Sequence, residues 1–244
     1  MKTEIEKLTN KIHKLQEESG FKSELLSLIS HDFKEVFGSL LWMTEAVENG
    51  SLSKDDFFKL LPRINQDAKK NLQTLSDTGE WLRTQMEGFE RKDSQIFALD
   101  LFIQLQEEFS EKLDEKNISF QFKGDESLFF QNDNLLIFFI LKKIMDNAIK
   151  YSHNHKPIYF EVFERNKSIT LAIVDNGVGM DQETQKFLFS FEGPVFHGTE
   201  GEIGAGLSLK IAKYFVFLTQ GEIEVDSTEN VGTTISVILP KIEK

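Results

Sequence analysis

Asp175-Asn176-Gly177-Val178-Gly179-Met180 is the segment whose residue types and spacing come nearest to a binding chemistry. It follows the apolar run Ile169–Val174, which predicts a strand. A carboxylate at a strand end can accept a hydrogen bond from an exocyclic amine such as that of adenine. Glycines at alternate positions let the backbone turn sharply and approach a ligand closely. A plain surface turn explains the same residues equally well, because Asp-Asn-Gly is turn-prone.

A second set, Asp146-Asn147-Ala148-Ile149-Lys150-Tyr151, lies on a predicted helix. Asn147, Lys150 and Tyr151 are spaced i, i+3, i+4 and share one face. An asparagine oxygen suits Mg²⁺, a hard cation that uses few protein ligands. Lysine supplies a point charge for phosphate, and tyrosine offers a ring face to a base. The commoner use of such residues is an exposed polar face. A third set, Gly198-Thr199-Glu200-Gly201-Glu202-Ile203-Gly204-Ala205-Gly206-Leu207, runs into a predicted helix over 205–219. Glycine-rich backbone leading into a helix N-terminus suits an anion; a flexible loop is the plain alternative. The fourth item is His31, with Asp32 beside it as a carboxylate able to orient the ring or take its proton.

The elements that would carry these residues follow from periodicity. Ile5, Leu8, Ile12 and Leu15 are spaced 3, 4, 3, and the phase resumes at Leu26, Ile29, Phe33, Val36, Leu40, Met43 and Val47. One long helix from near 3 to near 48 is expected, ended by Asn49-Gly50-Ser51. His31 then falls at an f position on its outer face. Ser53 with Asp56 resembles a capping box and opens a second helix. Its apolar stripe is Leu61, Ile64, Ala68, Leu72, Leu75, Leu82 and Met86, and Pro62 predicts a kink or a late start. A lone hairpin has little to bury its stripe against, so pairing with a second copy as a four-helix bundle completes it. From about residue 96 strands and helices alternate. Ile118, Phe120 and Phe122 suggest a strand. Asn132 or Asp133 can cap a helix to about Tyr151, and 158–162 and 169–174 pair about Arg165-Asn166-Lys167. Strands near 222–226 and 233–239 end the chain. The expected fold class is α+β: a helical hairpin, then an α/β sandwich with helices on one face of a sheet.

The 244 residues suit one large domain or two ordinary ones, and 23 Phe beside 3 Tyr and 2 Trp predict a Phe-rich core. A net charge of −12 argues against a nucleic-acid partner, which needs clustered cations. The absence of Cys removes disulfides and thiolate catalysis. No apolar run is long enough to span a bilayer and the N-terminus lacks a signal-peptide core. A cytoplasmic chain without direct membrane contact is expected, and a longer, membrane-tethered parent is compatible with it.

Taken together the motifs resemble the sensor histidine kinases of two-component systems, over residues 21 to 240. Ser30-His31-Asp32-Phe33-Lys34 looks like the phosphoacceptor box, and Asp146–Ser152 like the asparagine box. Asp175–Met180 looks like the first glycine box, Gly204-Ala205-Gly206-Leu207-Ser208-Leu209 like the second, and Gly232-Thr233-Thr234 like the last glycine-threonine element. Each is moderate alone; five in order are specific. The resemblance implies an N-terminal extension (1–20), a dimerisation and phosphotransfer hairpin (21–92) and a Bergerat-type ATP-binding domain (96–244). It assigns His31 and Asp32 to catalysis. Asp175 goes to adenine, Asn147 to Mg²⁺ and Lys150 to phosphate. Tyr151, Gly177, Gly179, Gly204, Gly206, Leu207 and Thr233 complete the ATP site, with 181–203 as its lid. A homodimer and a response-regulator receiver domain are the implied partners.

The departures carry expectations of their own. Val36 stands where the family usually has proline, implying a straighter helix. Glu35 replaces a usual Thr or Asn and implies weak phosphatase activity. Lys143 replaces a usual Asn one turn before Asn147; a cation there weakens metal binding or meets phosphate directly. Ser208 replaces a usual Gly and is expected to be tolerated. Glu35, Val36 and Lys143 favour the runner-up, a degenerate ATP-binding scaffold with little or no autokinase activity. A serine kinase relative or clamp-like ATPase is disfavoured by His31 and Asp32 on a hairpin. The blandest alternative is a coiled-coil interaction protein with an inert second domain. His13, His153, His155 and His197 read as surface residues.

Overall fold

The structure, a computed structural model, describes residues 2–86, 89–165, 167–190, 198–199 and 207–241, the side chains of 2–18, 21, 28, 32 and 35 excepted. The chain divides into two compact units between Ser76 and Asp77.

The first unit is a helical hairpin. Helix α1 runs unbroken over Lys2–Glu48, as its periodicity predicts. Gly50, at φ +78°, turns the chain, and Leu52 N–H donates to the Ala46 carbonyl at 2.9 Å. Helix α2 spans Lys54–Gln85, so the division between units falls inside it. Its N-terminus differs from a reciprocal capping box. Ser53 Oγ accepts from Asp56 N–H at 3.1 Å, but the Asp56 carboxylate accepts from the Ser53 hydroxyl at 2.7 Å. Hydrogen bonds from Lys59 and Ser53 hold that carboxyl below its usual value. Pro62 lies within the helix, which starts at Lys54 and not after the proline. The α1 seam is only partly inward. Met43 is buried, but so is Leu25, which lies outside the predicted stripe, whereas Leu26 and Leu40 are exposed. The apolar surface of α1 is therefore wider than one seam, and part of it faces solvent.

The second unit is an α+β domain. Strand β1 (Asp93–Phe97) pairs antiparallel with β3 (Phe129–Asp133). Helices α3 (Ala98–Glu108) and α4 (Ser110–Glu115) lead to β2 (Phe120–Lys123). Helix α5 (Asn134–Tyr151) follows, then β4 (Ile158–Arg165) and β5 (Ser168–Val174). Helices α6 (Gln182–Phe187) and α7 (Ser208–Leu218) precede the hairpin of β6 (Glu222–Thr228) and β7 (Gly232–Pro240). The larger sheet has the order β2-β4-β5-β7-β6, with β2 parallel to β4 and the other pairs antiparallel. Alternate residues of β4 and β7 (Ile158, Phe160, Val162; Ile235, Val237, Leu239) are buried. Ile137, Ile140, Leu141 and Ile144 of α5 and Ile211, Ala212 and Phe215 of α7 are buried with them. Two-residue periodicity on the strands and 3.6-residue periodicity on the helices thus make one core.

Asp133 caps α5, accepting from Leu135 and Leu136 N–H at 3.0 and 3.2 Å, while Asn132 instead accepts from Asp133 N–H. The Phe-rich core holds in part. Phe109, Phe120, Phe130, Phe160 and Phe215 are buried, but Phe37, Phe58 and Phe129 are exposed. Helix α7 begins at Ser208, later than its pattern suggests. β1, β3, α3, α4 and α6 lack a clear sequence signal. Among the described residues no helix is long and apolar enough to cross a membrane.

Candidate functional site

Asp175 follows the last residue of β5 and is not on an open turn. It is 9% exposed. Its N–H donates to the Thr233 carbonyl at 2.9 Å. Its Oδ1 accepts from Gly177 N–H at 2.9 Å and from Thr233 N–H at 3.1 Å. Among the described residues no hydrogen bond is made to Oδ2, which leaves one carboxylate oxygen for a donor from outside the protein. Burial pushes the carboxyl up to about 6, against the two N–H bonds that pull it down.

The glycines around it are required by close approach. A Cβ on Gly177 would lie 2.2 Å from the Tyr151 carbonyl oxygen. Gly179, at φ +63°, would place one 1.9 Å from the Thr228 carbonyl. Val178 N–H donates to Tyr151 O at 3.1 Å and Asn230 N–H to Val178 O at 2.6 Å. The loop is therefore laced to the end of α5 on one side and to the β6–β7 turn on the other. The surface-turn reading of Asp-Asn-Gly does not survive this packing.

The asparagine-box residues lie on α5. Asn147 is half-buried, and its Nδ2 donates to the Lys143 carbonyl at 3.0 Å. That bond uses Nδ2 and not Oδ1, an oxygen donor of the kind Mg²⁺ takes. Lys150 is 8% exposed; its Nζ lies 3.1 Å from the Tyr151 hydroxyl and 4.7 Å from the ring centroid. An exposed polar face is thereby excluded for Lys150. Lys143, expected to weaken metal binding or to meet phosphate directly, is paired with a carboxylate instead of standing open. Its Nζ lies 2.5 Å from Asp77 Oδ1, and the two side chains are 8% and 1% exposed. Ser208, read as a merely tolerated substitution, donates from Oγ to Asp77 Oδ2 at 2.6 Å. Leu207 is fully buried, and its carbonyl accepts from Lys210 and Ile211 N–H.

Thr233 and Gly232 close the site from β7. Gly232, at φ +142°, would put a Cβ 2.2 Å from Asp175 O. Three residues that sequence reasoning missed hold the walls. Ser227 Oγ accepts from Met180 N–H at 2.9 Å and lies 2.9 Å from Thr233 Oγ1. Lys116, 4% exposed, donates to the carbonyls of Ile149 and Lys150 at 3.0 and 3.1 Å and to Thr199 Oγ1 at 2.9 Å. Thr199 in turn donates to Ser152 O at 2.9 Å. Asp77 is the third. No local pattern marks them, because each acts on residues far away in sequence.

Other expected residues lie apart or outside. His31 is exposed on α1, and Asp32 is on the same helix. Gly204, Gly206 and His197, and most of 191–206, lie outside the described residues, as do the side chains of His13, Asp32 and Glu35. Of the expected lid, α6 is capped by Asp181, which accepts from Thr184 N–H at 2.7 Å. His153 and His155 are exposed.

The site thus combines a buried carboxylate with one uncommitted oxygen, an asparagine oxygen, a buried lysine and tightly packed glycine backbone. The chain is similar to known proteins in sequence and fold. Residues 132–243 match the family described as histidine kinase-, DNA gyrase B-, and HSP90-like ATPase. The chain is similar to the histidine protein kinase SaeS of Staphylococcus aureus (strain USA300), at 27% identity over 241 residues, covering 97% of this chain and 68% of the relative. Its fold is similar to that of the Acinetobacter baumannii histidine kinase AdeS, with a TM-score of 0.67 at 16% identity over 87% of this chain and 98% of that one. It is also similar to histidine kinase ThkA, solved in complex with response regulator protein TrrA. The TM-score is again 0.67, at 19% identity over 94% of this chain and 64% of that one. Match and fold agree: residues 132–243 match the histidine kinase-, DNA gyrase B-, and HSP90-like ATPase family, and the chain as a whole is similar to histidine protein kinases in sequence and fold.

Proposed function

We propose that this chain phosphorylates His31 from Mg²⁺–ATP and passes the phosphoryl group to an aspartate of a response-regulator receiver domain. The observation that carries the reading is Asp175, a buried carboxylate with Oδ1 committed to Gly177 and Thr233 and Oδ2 open to an amine. Asp175 holds the adenine amino group through Oδ2. Tyr151 flanks the nucleotide, and the backbone of Gly177, Gly179 and Leu207, with Thr233, encloses it; Gly204 and Gly206 are assigned to the same site by their place in the glycine-rich motif. Asn147 Oδ1 is the protein ligand for Mg²⁺, which supplies charge neutralisation at the phosphates when bound. Lys150 presents its charge to a phosphate oxygen. At His31 a ring nitrogen forms a bond to the γ-phosphorus as the bond to the bridging oxygen breaks, and Asp32 orients the ring and takes its proton.

Residues 21–92 act as the phosphotransfer hairpin, 96–244 as the catalytic domain and 1–20 as a coiled-coil extension. The hairpin pairs with a second copy: Leu26, Leu40 and Leu41 of α1 and Leu61, Leu72 and Leu75 of α2 are exposed, as an unpaired bundle face would be. The relation to ThkA, whose structure holds a response regulator, supports the partner class. The working compartment is the cytoplasm.

The test is incubation of wild type and His31→Ala with Mg²⁺ and γ-labelled ATP. Acid-labile label on wild type alone is expected. Label on neither, with ATP binding intact, selects the degenerate scaffold, the reading that Glu35, Val36 and Lys143 favour.

A further inference from the structure

Asp77, Lys143 and Ser208 form a buried cluster whose chemistry the proposed reaction leaves unused. The Asp77 carboxylate bridges Lys143 Nζ at 2.5 Å and Ser208 Oγ at 2.6 Å. Burying an ion pair carries a heavy desolvation cost, and apolar residues of similar size often pack at least as stably. The location of the pair suggests another use. Lys143, Asn147, Lys150 and Tyr151 stand at i, i+4, i+7 and i+8, one stripe of α5. Asn147 Nδ2 donates to the carbonyl of Lys143 itself. Ser208 opens α7, next to the glycine-rich segment that ends at Leu207. The cation and hydroxyl that receive Asp77 thus belong to the two segments assigned above to the phosphates. A lysine and a serine hydroxyl bind a phosphate oxygen by the same bonds they give a carboxylate oxygen.

We propose that Lys143 Nζ and Ser208 Oγ form a seat for a terminal phosphate of the nucleotide, and that Asp77 is its resident competitor in the nucleotide-free chain. This rests on the nucleotide reading of the site. Lys143 is too buried to stand without a counter-ion, so the carboxylate leaves only as another anion arrives. A nucleotide with β- and γ-phosphates reaches the seat; one ending at its first phosphate does not. Trp81, one turn beyond Asp77 on α2, reports the exchange. It is 3% exposed and meets Tyr214 of α7 edge to face at 6.5 Å. The second tryptophan, Trp42, is exposed on α1.

The experiment measures binding of ATP and AMP to the full chain, wild type and Asp77→Asn. Asp77→Asn is expected to bind ATP at least about fivefold more tightly, because a blocked seat lowers apparent affinity by the fraction of competent molecules. AMP affinity should stay within about twofold, since AMP has no phosphate to lose to the competitor. Equal changes for both nucleotides, or no gain for ATP while AMP binds, would overturn the seat alone. Failure of wild type to bind either nucleotide would remove the nucleotide reading and the seat with it. Should Asp77→Asn not fold, Trp42→Phe leaves Trp81 as the single emitter in a chain with Asp77 intact. Saturating ATP should shift its emission to the red and AMP should not. Unchanged emission with ATP bound would refute displacement.

Discussion

Replacing Asp175 by Asn should stabilise the nucleotide-free protein while abolishing its ATP binding. Asn keeps an oxygen at the Oδ1 position, so the bonds from Gly177 and Thr233 N–H survive in neutral form. What disappears is a buried charge. The Asp175 carboxyl is lifted from 3.8 to about 6, chiefly by burial. A rise of that size corresponds to about 3 kcal/mol of destabilisation when the group is ionised. The weaker neutral bonds take back part of this, leaving a net gain of about 1–3 kcal/mol. For a domain of this size each kcal/mol raises Tm by about 2–4 °C. The sign follows from proton linkage. Between 3.8 and about 6 the folded state holds a proton that the unfolded state has released, so wild-type stability falls as pH rises through that window. Below it both states are protonated, and variant and wild type should melt together. The assay is thermal unfolding of both proteins without nucleotide from pH 4 to 8, with ATP titration at pH 7.5. The Tm gap should open between pH 4 and 6 and then level off. ATP affinity should fall by a factor on the order of 100 or more, because the amide NH₂ then faces the adenine amine as donor against donor. A variant that melts below wild type at pH 7.5, or a gap that ignores pH, would refute the reasoning.

Further outcomes are expected elsewhere. Lys116→Met removes three hydrogen bonds that join the end of α5 to Thr199. It should cost about 2 kcal/mol, read as a lower urea midpoint at unchanged slope. Gly179→Ala adds a Cβ 1.9 Å from the Thr228 carbonyl at a φ of +63°. It should cost more than about 3 kcal/mol, and ATP protection in a thermal-shift assay should vanish, whereas Gly38→Ala, inside α1 with nothing within 4 Å, should stabilise slightly, by about 0.5–1 kcal/mol, and leave ATP protection intact. Wild type should dephosphorylate a phosphorylated cognate regulator poorly and Glu35→Thr should do so faster, measured as loss of labelled aspartyl phosphate; efficient wild-type phosphatase activity would contradict the role given to Glu35.

The sequence by itself determined the local elements and the order of the motifs. A 3, 4 apolar spacing can be satisfied only as helix, so α1 was legible almost to the residue. The apolar, β-branched runs Ile158–Val162 and Ile169–Val174 read as paired strands, and the short link between them fixed the pairing as antiparallel. Asp175, Asn147 and Lys150 stood out because binding chemistry leaves residue types in short, ordered boxes. The partners of those residues were decided by tertiary structure. Lys143 looked like a cation facing metal or phosphate, because nothing near residue 143 hints that Asp77 would meet it. Lys116 reaches carbonyls 33 and 34 residues away, and Ser227 takes the amide of Met180, 47 residues away. β1 and β3 were illegible because each is completed only by the other. Whether Asp-Asn-Gly is a surface turn or a buried loop depended on Tyr151, Thr228 and Thr233 arriving against it. Propensity and periodicity act over a few residues, whereas burial, ion pairing and a raised carboxyl arise only where distant segments exclude water together.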